Sequence, residues 1–186
     1  SCASKSDCSS PVKNENRDKK VDTDTLPVLQ YMSDENANPT SCGQVACGGT
    51  GYKELDDLMA KARKEVKEMS PAVLKKMLDN DEDLVLIDVR ESIQRAEGEI
   101  YASDSYAIPR TNLEFEILNK VKDKSTIIVT YCRGGSRGAL AAQTLRHLGY
   151  KNATNLKGGL KGWAKAGYPI ETGLGVVTLN KEEEEE

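Results

Sequence analysis

The chain has little of what most often carries metal, cofactor or nucleic-acid chemistry. Of its 186 residues one is histidine, one tryptophan and one phenylalanine, and aromatics make up 5%. His147 is the single histidine and the five cysteines include no C-x2-C pair, so there is no ligand set of the kind tetrahedral zinc favours. Neither a metal nor an organic cofactor is expected. No apolar run approaches the ~18 residues of a membrane-spanning helix. Lys and Arg do not cluster among aromatics, which excludes nucleic acid as the expected partner. No internal repeat is found, so solenoid architectures are excluded as well.

Charge is unevenly placed. Basic residues number 26 against 30 acidic, a net charge of -4, but setting aside Glu182 to Glu186 leaves 26 against 25. The folded part is nearly neutral, and the closing glutamates read as a solvated tail. Residues 1–51 are rich in Ser, Asn, Asp, Lys, Thr and Gly and lack hydrophobic periodicity. They cannot bury enough apolar area to offset the entropy of ordering, and read as a flexible tether. Four cysteines, Cys2, Cys8, Cys42 and Cys47, fall within it. Cys42 and Cys47, in SCGQVACGGTG, fit three readings: a small disulfide loop in an exported chain, a second thiol pair that accepts sulfur, or a linker whose cysteines have no role.

Beyond the tether the pattern becomes regular. Leu55, Leu58, Met59, Ala62 and Val66 recur at three and four, which predicts an amphipathic helix from Tyr52 to about Glu65, with a short strand at Val66 to Met69. Ser70 and Pro71 supply an N-cap and a first-turn proline for a helix over PAVLKKMLDN. The runs LVLID (84–88) and TIIVTY (126–131) are continuously apolar, as in strands covered on both faces. Shorter strands are expected around YAI (106–108) and ATNL (153–156), and helical patterns in ESIQRAEG, TNLEFEILNKV and SRGALAAQTLRHLG lie between. That alternation predicts an α/β fold, a central parallel sheet of four to five strands with helices on both faces. The domain organisation is then a tether at 1–51, the amphipathic helix and short strand at 52–69, one domain at 70–172 and an acidic tail at 173–186. Trp163 is expected in the core.

One stretch concentrates the chemistry. YCRGGSRG (131–138) sets Cys132 where an apolar strand gives way to a helix, the place where open α/β sheets bind ligands. Gly134, Gly135 and Gly138 let the backbone curl so that successive N–H groups face one point, an anion nest at the helix mouth. Oriented amides and the guanidinium groups of Arg133 and Arg137 favour the ionised form of a thiol. The expectation is a standing thiolate that needs no histidine base, since His147 lies ten residues past Arg137, roughly 15 Å along the same helix.

IDVR (87–90), YCRGGSRG (131–138) and GGLKGW (158–163), in this order, resemble the motifs of the rhodanese-like sulfurtransferases over about residues 66–172. The resemblance implies a rhodanese-like fold and a cysteine that takes sulfane sulfur from an anionic donor, thiosulfate or polysulfide, and passes it to a thiol or cyanide through a persulfide. Carried over, Cys132 is the nucleophile, the backbone N–H groups from Arg133 through Gly134, Gly135, Ser136 and Arg137 to Gly138 hold the persulfide, and Arg133 and Arg137 bind the donor. Asp88 and Arg90 would brace the loop. Where the family often has a Gly-His-Ile-Pro-Gly-Ala run, this chain has GEIYASDSYAIP (98–109), with Glu99 at the histidine's place and Tyr101 or Tyr106 near the pocket. The amphipathic helix resembles that of dimeric periplasmic polysulfide-sulfur transferases, which implies a homodimer.

Two other classes compete. A cysteine phosphatase or arsenate reductase also cradles an anion over a thiolate, but its motif places five residues between Cys and Arg, and here four separate Cys132 from Arg137. A non-catalytic binding or sensing module would have no need of the cysteine, both arginines and the three glycines together. Finally, the opening SCASKSDCSS resembles the start of a mature bacterial lipoprotein, implying a lipid anchor at Cys2 and a periplasmic or membrane-anchored location, with the cytoplasm as the alternative.

Overall fold

A computed structural model of the chain describes residues 49–179. The tether with Cys2, Cys8, Cys42 and Cys47, the lipid-anchor reading and the closing glutamates lie outside the described residues.

Helix α1 (Lys53–Val66) turns Met59, Ala62 and Val66 inward and stops at Lys67, which adopts a left-handed φ of 47° and donates its N–H to the Arg63 carbonyl. Helix α2 (Pro71–Asp79) begins as its sequence predicts, the Ser70 hydroxyl accepting from the Val73 amide with proline in the first turn. Strand β1 (Val85–Asp88) follows, then a 3-10 segment (Ser92–Glu97), strand β2 (Ser105–Ala107) and helix α3 (Leu113–Lys120). Strand β3 (Ile128–Tyr131), helix α4 (Ser136–His147), strand β4 (Ala153–Asn155) and helix α5 (Gly159–Lys165) complete the alternation.

All pairings among these four strands are parallel and their order is β2-β1-β3-β4. Met69 adds a single parallel bridge to Leu156 beyond β4, where a short strand is expected from sequence. Successive side chains alternate across the sheet. Val85, Ile87 and Ile128 join Leu113 and Ile117 of α3 and Ala141 and Leu145 of α4 on one face. Leu84, Leu86, Val129 and Tyr131 join Leu74 of α2 and Leu160 and Trp163 of α5 on the other. Each fully buried aliphatic side chain contributes about 1.5–3 kcal/mol, and two such layers fix the strand register.

Two elements differ from the sequence expectation. ESIQRAEG forms a 3-10 segment rather than an α-helix, with no buried residue of its own. Past the main sheet, β5 (Ile170–Thr172) and β6 (Gly175–Val177) form an antiparallel hairpin, so ordered structure extends into the stretch assigned to the acidic tail. Trp163 is 2% exposed, tilted against Tyr168, and donates its indole N–H to the Pro169 carbonyl at 2.8 Å. Among the described residues no helix is long and apolar enough to cross a membrane.

Candidate active site

Cys132 follows β3 directly and is 2% exposed. Its Sγ accepts two backbone hydrogen bonds, from the Gly135 amide at 3.1 Å and the Gly138 amide at 3.3 Å. Among the described hydrogen bonds these two amides, not the whole run from Arg133 to Gly138, reach the sulfur. Gly135 adopts φ +102°, and a Cβ there would stand 3.1 Å from the Gly158 nitrogen. Only glycine meets both demands at low cost.

The loop is held by four elements. From β3, the Thr130 hydroxyl donates to the Gly138 carbonyl at 2.8 Å. From β4, the Asn155 carboxamide nitrogen donates to the Gly135 carbonyl at 3.1 Å and to Glu68 Oε2 at 2.6 Å. The first turn of α5 takes the loop's own carbonyls, Leu160 N–H donating to Cys132 at 2.8 Å and Lys161 N–H to Arg133 at 3.0 Å. That approach requires Gly159, whose Cβ would fall 2.5 Å from the Cys132 carbonyl oxygen. Helix α1 reaches the same place, Arg63 Nη2 donating to Ser136 Oγ at 3.3 Å.

Both loop guanidinium groups cross to the 92–97 segment instead of resting on the sulfur. Arg133 Nε donates to both carboxylate oxygens of Glu97, at 2.9 and 3.0 Å, and Arg137 Nη1 donates to Gln94 Oε1 at 2.7 Å. Gly134 is exposed at the loop's outer turn.

Asp88 and Arg90 act one step behind. Arg90 is fully buried and holds Asp88 through Nε to Oδ1 at 2.9 Å and Nη2 to Oδ2 at 2.7 Å, a bidentate pair. Its remaining donors go to the Gln94 carbonyl at 3.1 Å and the Gly98 carbonyl at 2.6 Å, so the pair fixes the segment that carries Gln94 and Glu97. Burial works against the Arg90 charge, but the hydrogen bond and attraction from Asp88 outweigh it and raise its pKa. The Arg90 guanidinium also lies 5.6 Å from the Tyr131 ring centroid. Burial pushes the Tyr131 phenol well above its ordinary value, and the Asp88 carboxylate adds to that.

Other residues singled out in the sequence lie elsewhere. Tyr101 lines a cavity of about 580 Å³ with Trp163 and Lys75, while Tyr106 pairs in β2 and packs against the core under Lys120. Neither joins the Cys132 loop among the described hydrogen bonds. Glu99 bridges Glu171 of β5 and pairs with Arg95. His147 is exposed near the far end of α4, 3.6 Å from Glu65. Sequence reasoning missed Gln94, Glu97, Glu68, Thr130 and Asn155. Thr130 and Asn155 carried a signal, being polar residues inside runs otherwise read as buried strand.

A buried sulfur under two amides, at a strand-to-helix turn of a parallel sheet and with the chain's histidine distant, defines a thiol-centred α/β domain. More closely, the chain belongs to the rhodanese-like domain family, whose model matches residues 70–166. It is similar to a sulfurtransferase of Allochromatium vinosum, 33% identical over 105 residues that cover 56% of this chain and 94% of the relative. The solution structure of the polysulfide-sulfur transferase homodimer of Wolinella succinogenes aligns with a TM-score of 0.56 at 26% identity, covering 72% of this chain and 92% of that one. A Rhodopseudomonas palustris protein of unknown function, described as a possible tyrosine phosphatase, aligns with a TM-score of 0.54 at 27% identity, covering 69% and 98%.

Proposed function

We propose that the protein is a sulfurtransferase that moves sulfane sulfur from an anionic donor to a thiol or cyanide through a persulfide on Cys132. The observation that carries this reading is the pair of amides from Gly135 and Gly138 aimed at Sγ. N–H dipoles on a sulfur favour its anionic form, and the anion is the nucleophile. With thiosulfate, the Cys132 thiolate attacks the outer sulfur, the S–S bond breaks, and its electron pair leaves with sulfite. Cyanide or a thiolate then attacks the outer sulfur of the persulfide and the pair returns to Cys132, so the sulfur changes carrier without net redox change. No metal or organic cofactor enters these steps.

The loop length supports this reading over phosphatase or arsenate reductase chemistry. Four residues between Cys132 and Arg137 make a tighter cradle than five, suited to a sulfur-sized group more than to a phosphoryl group. Intact mass after incubation with thiosulfate or polysulfide tests it. The expected result is a gain of one sulfur atom, removed by cyanide and absent in Cys132→Ser. Unchanged mass with either donor returns the chain to the binding or sensing reading.

Two further parts of the reading are proposals with their own tests. A homodimer through the outer side of α1 is supported by exposed Tyr52, Leu55 and Leu58, and light scattering of Leu58→Glu checks it. A lipid anchor at Cys2, and with it a periplasmic location, rests on the SCASKSDCSS pattern; fatty-acid labelling lost in Cys2→Ser checks that.

A further inference from the structure

The two arginines of the loop do not offer the same charge. Arg137 meets a neutral carboxamide, Gln94, and keeps its full positive charge. Arg133 meets Glu97 in a two-oxygen contact at 2.9 and 3.0 Å, with the side chains 45% and 46% exposed. The other charged side chains from Asp88 to Glu99 are paired within that stretch, Asp88 with Arg90 and Arg95 with Glu99 at 2.5 Å, apart from Glu91, which is exposed so that its charge is solvated and screened. Lys161, on the first turn of α5, is exposed and its charge is solvated and screened. With Cys132 ionised, the loop and its facing segment therefore carry one uncompensated guanidinium against one thiolate, close to zero in sum. A dianion arriving there must displace Glu97 from Arg133 or lie beside its carboxylate. Ile93, one residue before Gln94, is 84% exposed and gives the segment that meets Arg133 and Arg137 an apolar surface.

We infer that Glu97 is a specificity-determining residue that sets the charge of the sulfur donor, favouring a singly charged donor with an apolar body, of the organic persulfide or thiosulfonate class, over dianionic thiosulfate. This rests on the sulfur-transfer reading of the same site. With an organic persulfide the Cys132 thiolate attacks the outer sulfur, the S–S bond breaks, and the organic thiolate leaves with the electron pair. With a thiosulfonate the leaving group is a sulfinate. Both steps balance without an outside oxidant or reductant.

The test compares thiosulfate with benzenethiosulfonate, a monoanion, using the full chain and cyanide as acceptor. Removing one facing charge at a half-exposed site is worth about threefold to tenfold for a dianion. Glu97→Gln is expected to lower the KM for thiosulfate by that factor and that for benzenethiosulfonate by about its square root, roughly twofold to threefold, with the gain shrinking as salt rises. Glu97→Asp, which keeps the charge, should stay near the parent. Equal shifts for both donors, or none, overturn the inference. Should neither donor load sulfur on the parent, the sulfur-transfer reading fails by itself, and the charge inference is still decided by calorimetric binding of the two anions to Cys132→Ser and to Cys132→Ser with Glu97→Gln. A larger gain in affinity for thiosulfate than for benzenethiosulfonate in the double variant supports it, and equal gains or unchanged affinity overturn it.

Discussion

Asn155 holds Gly135 by its backbone: the carboxamide of the last β4 residue donates to the Gly135 carbonyl at 3.1 Å, while the Gly135 amide donates to Cys132 Sγ at 3.1 Å. Position of the amide at the sulfur thus depends on a side chain from the neighbouring strand, itself steadied by Glu68 at 2.6 Å. Losing a buried donor while its acceptors stay costs about 1–3 kcal/mol. Asn155→Ala is expected to lower stability by that amount and slow sulfur transfer on the order of tenfold, through misplacement of the loop. Asn155→Asp should be worse, because a carboxylate would face both Glu68 and the Gly135 carbonyl. Denaturant melts and peptide-resolved alkylation of Cys132 measure the two effects.

The oxygen of that carboxamide, Oδ1, is buried without a hydrogen-bond partner among the described residues, and a Cβ on Gly138 would come within 2.1 Å of it. Gly138→Ala therefore forces two buried groups together and should destabilise the fold by about 1–3 kcal/mol. Adding Asn155→Ala removes the obstruction. The double variant is expected to be more stable than the sum of the single effects, a coupling that a double-mutant cycle reads directly.

Arg90 is a fully buried cation whose donors are divided between Asp88 and the backbone of the 92–98 segment. Arg90→Met leaves the buried Asp88 with only Arg95, 3.9 Å away, as a counter-charge and should cost about 3 kcal/mol, whereas Arg90→Met with Asp88→Asn should recover part of that. Urea unfolding curves distinguish the two variants. The same substitution frees Gln94, which holds Arg137, from its support, so the KM for a singly charged donor should rise even where the protein remains folded.

Tyr131 and Tyr150 are buried, and burial raises both phenol pKa values above the ordinary one. For such groups the folded state prefers the proton, so their contribution to stability is complete below pH ~10 and fades as pH climbs through the raised values. Absorbance titration of phenolate should show a delayed step in which these two ionise as the fold opens. Tyr131→Phe should remove one delayed step and extend stability to higher pH. A single titration at the ordinary value would contradict the packing.

Much of the sheet was legible because parallel strands covered on both faces leave continuous apolar runs, and LVLID and TIIVTY have no other reading of comparable quality. The Cys132 loop was legible from its glycines, and Gly135 and Gly138 do bring their amides to the sulfur. What could not be read was distance across the fold. Glu97 and Arg133 are 36 residues apart, and nothing in the local pattern of either announces a partner. Asn155 stands out as a polar residue in a buried strand, but nothing in the sequence tells that the fold lays it behind the loop. The 92–97 segment was misjudged because charged and apolar residues at helical spacing fit a 3-10 turn as well as an α-helix, and tertiary support from Arg90 decides between them.

The first turn of α5 grips the carbonyls of Cys132 and Arg133, and it is encoded well downstream of them. During synthesis the thiol therefore emerges before the backbone groups that hold its loop in shape. A nascent chain cut short ahead of Gly158 would present a cysteine without a formed cradle, and the loop takes its final shape only when the last part of the domain has closed over it.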